Sequence, residues 1–319
     1  FAYKMQDINI LLNANLTADS QLLYRRNVTE RVSELFPFLV FDNDPYLVIA
    51  DGKLFWMMDA YTVTSRYPYS HLISIGERNV NYIRNSVKIT VDAYSGDVNA
   101  YIIQKPKVDP IIEAYSRMFP GIFKSIDNMP KILSEHIRYP ELLFKTQTYI
   151  YENYHMSDPG VFYQRSDLWA IPPKATLEGT NDANVMEPYY TIMKLPNADT
   201  EEFILMTVFK RTSKTNMVAW MCAKCDSKEY GKLVLYKFPE DRNVPGPEQI
   251  VSRTNQDTYI SQQLSLWNQR GSGISSGNLL IMPIDNSILY VMPLYLESTT
   301  TKIPELKRVI VSIGDKLVM

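Results

Sequence analysis

Three stretches of this chain have residue types at spacings that could do chemistry. Cys222-Ala223-Lys224-Cys225 is a C-x-x-C, the spacing of a redox disulfide or of half a zinc site. A redox pair needs its first thiol at a helix start, where the macrodipole favours the thiolate, but Met217 to Ala223 reads as a strand. A zinc site needs two further soft ligands, and the chain has only two cysteines. The pair is therefore read as two small residues at a strand end, dispensable for folding. Gly273-Ile274-Ser275-Ser276-Gly277 fits the G-x-S-x-G of a nucleophile elbow, which requires a strand, a strained turn and then a helix. Here Asn278 to Ile281 reads as a strand, so Ser275 is not expected to act as a nucleophile. Gly271, Gly273 and Gly277 beside Arg270 have the makings of an anion nest, but no helix N-terminus follows them.

The remaining polar candidates are scattered. His71, His136 and His155 are too far apart in sequence to encode a local metal site; His155 falls at a helix end, where a capping role suffices. Asp42, Asp44, Asp51 and Asp59 are oxygen ligands of the kind calcium takes, but they lack the spacing of an EF-hand loop and are read as solvated turn residues. No metal and no cofactor is implied. The most suggestive group is aromatic: Tyr61, Tyr67, Tyr69 and Tyr82, interleaved with Arg66, Arg78 and Arg84. Tyrosine and arginine supply contact area at low entropic cost and are common interface anchors. Arg66, Tyr67 and Tyr69 lie beyond the alternating positions of the preceding hairpin and form the candidate binding site, with a protein or a glycan as the partner such a surface suits. Packing of these rings between hairpins is the alternative.

The elements that position these residues are mixed. Apolar residues fall at helical spacing in Phe1 to Asn15 and Asp19 to Leu35, the second stopped by Pro37. Two β-hairpins follow, Tyr46–Ile49 with Leu54–Met58 across an Asp51-Gly52 turn, and Val87–Ala93 with Val98–Ile103. Asp-Ala-Tyr recurs at 59–61 and 92–94, each time read as a strand end, and the second copy resembles the small PepSY modules, which implies a binding or inhibitory unit. Prolines at 110, 130 and 140 each start a helix, ending near Phe119, Ile137 and His155. Ile171 to Val185 reads as a linker or long surface loop. Strands over 189–195, 202–209, 217–223 and 232–238 then form an antiparallel meander, followed by a helical insertion at 247–267, a hairpin over 278–296 and terminal strands over 306–319. The fold class is α+β, with an α+β lobe over 1–175 and a β-rich lobe over 176–319.

Composition bounds the partners. The 319 residues are 45% apolar and 12% aromatic, enough for one large core or two ordinary ones. Thirty-three basic residues against 35 acidic give a net charge of −2, so no long-range field draws the chain to nucleic acid. The most apolar stretch, Leu279 to Leu296, is broken by Pro283, Asp285, Asn286 and Pro293, short of the roughly 18 apolar residues a membrane span needs. This stretch of chain is thus not expected to cross a bilayer, and its opening on Phe1 suggests an excised domain.

The wording of several segments resembles a known family. DPYLVIADGKLFWMMDAYTVTSRYPYS at 44–70, LLYRRNVTERV at 22–32, HIRYPELLFKTQ at 136–147, YHMSDPGVFYQRSDLW at 154–169 and LSLWNQRGSG at 264–273 are similar to the soluble part of uncharacterised protein family 0182. The resemblance implies a large bacterial multi-pass membrane protein of which these residues are a later, extracytoplasmic part at the cell membrane. It implies contact with the protein's own membrane-spanning region, and with an envelope protein or glycan, and it supplies no activity. A binding module is therefore the expected function, and a hydrolase-like envelope enzyme the competing one.

Overall fold

The computed structural model describes residues 17, 25–103, 107–177, 179–196, 198–226, 229–268, 271–284, 287–298 and 303–319. The expected helix over 1–15 lies outside them, as do Arg270 and the turn at 285–286. Two compact units divide the chain, Phe1–Met129 and Pro130–Met319.

In the first unit, α1 (Val28–Leu35) starts where the Asn27 side chain accepts from the Thr29 and Glu30 N–H groups, so the helical pattern expected from Asp19 is interrupted before Val28. Five strands form a connected path: β1 (Val40–Phe41), β3 (Lys53–Thr64), β6 (Tyr82–Asp92), β7 (Val98–Ile102) and β8 (Phe123–Ser125), with β2 (Tyr46–Ala50) also paired to β3. A small ribbon of β4 (Ile73–Ile75) and β5 (Arg78–Val80) lies between β3 and β6. The β2–β3 turn has Asp51 at φ 49° and Gly52 at φ 71°, the left-handed pair that a two-residue hairpin favours. Asp59-Ala60-Tyr61 is not a strand end, because β3 continues to Thr64. Asp92 does end β6, accepting from the Tyr94 and Ser95 N–H groups. Helix α2 (Pro110–Met118), started by Asp109 and Pro110 as expected, carries the chain from β7 to its parallel neighbour β8. Val32, Phe36, Met58, Ala60, Val87, Ile89 and Ile112 form the core on the helix-covered face.

A β-bulge divides the polar residues of this sheet. Ala60 pairs with Val87 but Tyr61 with Asn85, which leaves Ser86 as the extra residue of β6. Ser86 therefore shares the helix-covered face with Val87, and Asn85 shares the opposite one with Lys88. On the first face, Thr62, Ser86 (2.8 Å) and Tyr82 (2.8 Å) donate hydroxyl hydrogen bonds to the buried Asp109 carboxylate, joined by the Ile111 N–H at 3.2 Å. Burial alone would raise this carboxyl, but the donors outweigh it and hold it below the ordinary carboxylate value. On the other face, Lys88 and Asp59 form a buried ion pair, and the Asn85 amide donates to Asp59 at 3.0 Å.

In the second unit, α3 (Lys131–Ser134), α4 (Glu141–Tyr154) and α5 (Pro159–Gln164) precede a sheet ordered β12 (Tyr189–Lys194), β13 (Glu201–Arg211), β14 (Met217–Lys224) and β15 (Leu233–Lys237), with β9 (Trp169–Ala170) on the end of β13. Pro130 and Pro140 are N-caps rather than first helical residues, whereas Asp158 and Pro159 of α5 follow the proline-first grammar. The segment expected as a linker forms paired strands, β10 (Pro173–Thr176) and β11 (Gly179–Val185), because Ala175 is buried in the core and anchors the ribbon. The helical insertion is two helices, α6 (Pro247–Gln256) and α7 (Thr258–Trp267), split where Asp257 caps the second by accepting from Ile260 N–H at 2.9 Å. A second sheet follows: β16 (Ser272–Ser276), β18 (Ser287–Ser298), β19 (Pro304–Ile313) and β20 (Lys316–Val318), with β17 (Leu280–Ile284) on β18.

The β12–β15 sheet is covered on both faces. Ile204, Met206, Val208, Trp220 and Cys222 meet Ile281, Met292, Leu294 and Ile310 of the second sheet and Ile250 of α6. Leu205, Phe209, Ala219 and Met221 meet Tyr139, Phe144 and Trp169. These last contacts bring Tyr139, Phe144 and Trp169 into the core of the second unit, Pro130–Met319.

Replacing Asp109 by Ala should destabilise the first unit by about 3 kcal/mol, since it removes a helix cap and leaves buried hydroxyls without their acceptor. The folded carboxyl is held low, so its contribution is complete above the unfolded pKa and is lost as pH falls through the folded value. Urea melts of the wild type and Asp109→Asn should differ most near neutrality and converge in strong acid.

Candidate functional site

The loop and ribbon over residues 65–80 form an arm between the ends of β3 and β6. Its base is closed by Asn81, whose N–H donates to the Thr64 carbonyl at 2.9 Å. The Asn81 side chain then organises the loop: Oδ1 accepts from Tyr67 N–H at 3.0 Å, and Nδ2 donates to the carbonyls of Tyr67 at 2.7 Å and Ser70 at 3.4 Å. Ser70 Oγ donates back to the Asn81 carbonyl at 2.9 Å, and Thr64 Oγ1 receives the Arg66 N–H at 3.1 Å.

On this backbone Arg66, Tyr67 and Tyr69 are all exposed. Tyr67 stacks on Tyr82, centroids 5.6 Å apart and 20° between planes, and the Tyr82 hydroxyl is the one that donates to Asp109. Burial, then the bond to Asp109, push the Tyr82 phenol above its ordinary range. Tyr69 sits at φ 58° with its ring fully in solvent. That conformation is costly for a bulky residue, and in this turn at the base of the arm it accompanies a side chain presented outward. Leu72 and His71 are exposed beside it. The structure thus brings the three sequence candidates together on one loop and separates them from Tyr61, which is buried with its hydroxyl donating to Asp42 at 2.6 Å. Arg78 is exposed on β5, and the Arg84 guanidinium donates to the Lys107 carbonyl.

The chemical candidates resolve differently. Cys222 and Cys225 are three apart on extended backbone, so they enter opposite cores, Cys222 with Trp220 and Cys225 with Met221 and Ala223. They stand at the end of β14, as expected, and both are buried core residues. Burial pushes the Cys222 thiol up to about 12. Ser275 lies within β16, its hydroxyl donating to Glu297 at 2.9 Å, and a strand follows where an elbow needs a helix. Gly277 is there for space: a Cβ would stand 2.7 Å from Pro293 Cγ.

The aspartates expected in solvated turns divide. Asp51 is exposed, whereas Asp42 and Asp59 are buried, with Lys88 as the cation paired to Asp59. Burial drives the Asp59 carboxyl up, and the Lys88 ammonium pulls against it. Among the described residues no three His, Cys, Asp or Glu side chains are grouped to hold a metal ion. His155, at the end of α4, stacks on Trp169 at 3.9 Å with Nε2 3.6 Å from Asp167, which Arg211 holds at 2.6 Å. Sequence reasoning missed Asn81 and the Asp59–Lys88 pair. The pair had a signal: single charges inside the apolar runs Met57-Met58-Asp59-Ala60 and Val87-Lys88-Ile89.

The model of uncharacterised protein family UPF0182 matches residues 1–267. The chain belongs to this family. UPF0182 proteins of Pelotomaculum thermopropionicum and Methanospirillum hungatei are each 48% identical to it, over 319 and 323 residues, and one of Desulforamulus reducens is 49% identical over 320. All of this chain is covered, but only 34%, 35% and 34% of those relatives, so it spans about a third of the length of the curated proteins it matches. No solved structure matches this UPF0182 chain.

Two outcomes are expected from this geometry. Tyr69→Gly should raise stability by about 1 kcal/mol by relieving left-handed backbone, and Tyr69→Ala should leave the melting temperature nearly unchanged, because no burial is lost. Thermal melts of both variants check this. Cys222 should resist iodoacetamide at pH 8 on the native protein and react only as the chain unfolds, which mass spectrometry of labelled peptides would show.

Proposed function

We propose that this chain is a binding module: the extracytoplasmic portion of a larger integral membrane protein, acting by contact with a protein or envelope component rather than by catalysis. The observation that carries the reading is the arm over 65–80, where Arg66, Tyr67 and Tyr69 stand in solvent on a loop fixed by Asn81. Exposed tyrosines and an arginine held on a rigid backbone lose little freedom on docking, which is what an interface anchor requires. No helix among the described residues is long and apolar enough to cross a membrane, and the family relatives are about three times longer, so membrane attachment in this reading belongs to the rest of the protein.

The competing reading, an envelope hydrolase, has less to support it. Its one sequence motif has Ser275 bonded to Glu297 in the middle of strand β16. A shallow cleft of the second unit is lined by Lys174, Met186, Glu187, Tyr189 and Asn278, without a nucleophile and base in register.

In the full-length protein, Arg66→Ala with Tyr69→Ala should abolish co-purification of the docking partner from native membranes while leaving the melting temperature within about 1 °C of wild type, the shift of a surface change near zero in free energy. Unchanged co-purification would reject the arm as the docking element, and a serine-probe adduct at Ser275 would favour the hydrolase.

A further inference from the structure

The second unit carries an exposed aromatic surface that the arm reading does not use. Helix α4 presents Tyr149, Ile150 and Tyr154 to solvent, and α5 adds Phe162 and Tyr163, the last 89% exposed. Ile150 and Tyr154 are one helical turn apart on the same face. The rings of Tyr154 and Phe162 lie 5.5 Å apart, so the two helices meet there, with Tyr149 and Tyr163 as exposed sequence neighbours of Ile150 and Phe162. The backbone of both helices is fixed. Phe144 anchors α4 in the core beneath, and Asp158 caps α5 by accepting from Val161 N–H at 2.9 Å.

Charge narrows what such a patch can meet. Between Tyr149 and Tyr163 there is no lysine or arginine; of the basic residues that border this stretch, Lys145 is paired with Glu141 and Glu187, which leaves the exposed Arg165, and the two acidic residues are engaged: Glu152 accepts from Ile171 N–H and Asp158 caps α5. An anionic membrane surface recruits basic side chains, so it is a poor match. Aromatic side chains with few charges among them are what the centre of a protein interface contains.

Size narrows it further. A stable complex between separate proteins buries about 800 Å² on each partner, with roughly 20–30 residues a side, and five side chains fall well short of that. A tethered partner meets the patch at an effective concentration in the millimolar range, where a small contact suffices. The curated relatives extend well beyond the stretch this chain matches, which covers 34% of the Pelotomaculum protein. We propose that the patch of Tyr149, Ile150, Tyr154, Phe162 and Tyr163 docks a segment of the same full-length polypeptide that lies outside residues 1–319. The contact stands independently of any role for Arg66 and Tyr69.

The test uses the purified full-length protein with Tyr163 replaced by p-benzoylphenylalanine, mixed from ¹⁴N and ¹⁵N preparations so that contacts within a chain and between chains differ in mass. Irradiation should give cross-linked peptides joining position 163 to sequence outside 1–319 of the same isotope. Hydroxyl-radical oxidation of Tyr163 should also run several-fold below that of Tyr94, an exposed turn residue of the first unit. Mixed-isotope cross-links, capture of another protein or of lipid, or Tyr163 oxidised as readily as Tyr94 would each overturn the proposal.

Discussion

One extra residue in a strand decides where the polar groups of the first unit go. Without the bulge at Ser86, strict alternation would place Asn85 with Val87 and Ser86 with Lys88. With it, hydroxyls collect on the helix-covered face around Asp109 while the Lys88 and Asp59 charges stay together on the other. A buried ion pair broken by loss of one partner costs about 3–5 kcal/mol, so such groups are tolerated only where each finds its complement. The bulge is what lets two such sets coexist in one sheet. It also reaches the arm, since Tyr82, a donor in the Asp109 set, is the ring on which Tyr67 rests.

The second unit is governed by a different constraint. Its β12–β15 sheet is buried on both faces, so β13 is closed to solvent from Ile204 to Phe209 and shows no polar alternation. That double burial settles the meaning of its cysteines better than their spacing does. Residues three apart on a strand enter different cores, and a C-x-x-C there joins neither into a disulfide nor into a shared metal site.

Local grammar was readable where one residue's chemistry dictates the backbone. Asp51-Gly52 wrote its hairpin, and Asp109-Pro110 wrote the start of α2. Elements held by distant partners were not readable. β8 is three residues long and exists because α2 returns the chain beside β7; β16 lies in a glycine-serine stretch whose strand character comes from pairing with β18. The makeup of the second unit's core was obscured for the same reason: nothing near residue 130 shows that Phe144 and Trp169 will fill a core with Phe209. In the candidate site, Arg66, Tyr67 and Tyr69 were visible as types out of place in a strand pattern. Asn81, which shapes their loop through bonds spanning 11 to 14 positions, has no such mark.

Left-handed positions elsewhere in the first unit show what the chain does when only a turn is needed. Gly52, Gly76 and Gly96 take φ of 71°, 58° and 74°, and Asp51 belongs to a type that tolerates the region. Arg25, at φ 51°, uses its side chain, pairing with Glu34 at 3.1 Å. Tyr69 has the same backbone as Gly76 but carries a full aromatic ring into solvent, at a cost of about 1 kcal/mol that glycine would avoid. A folding requirement alone selects glycine there. On a loop braced through Asn81, the exposed ring is what leads us to rest the proposed binding reading on the arm and not on the motifs that first suggested chemistry.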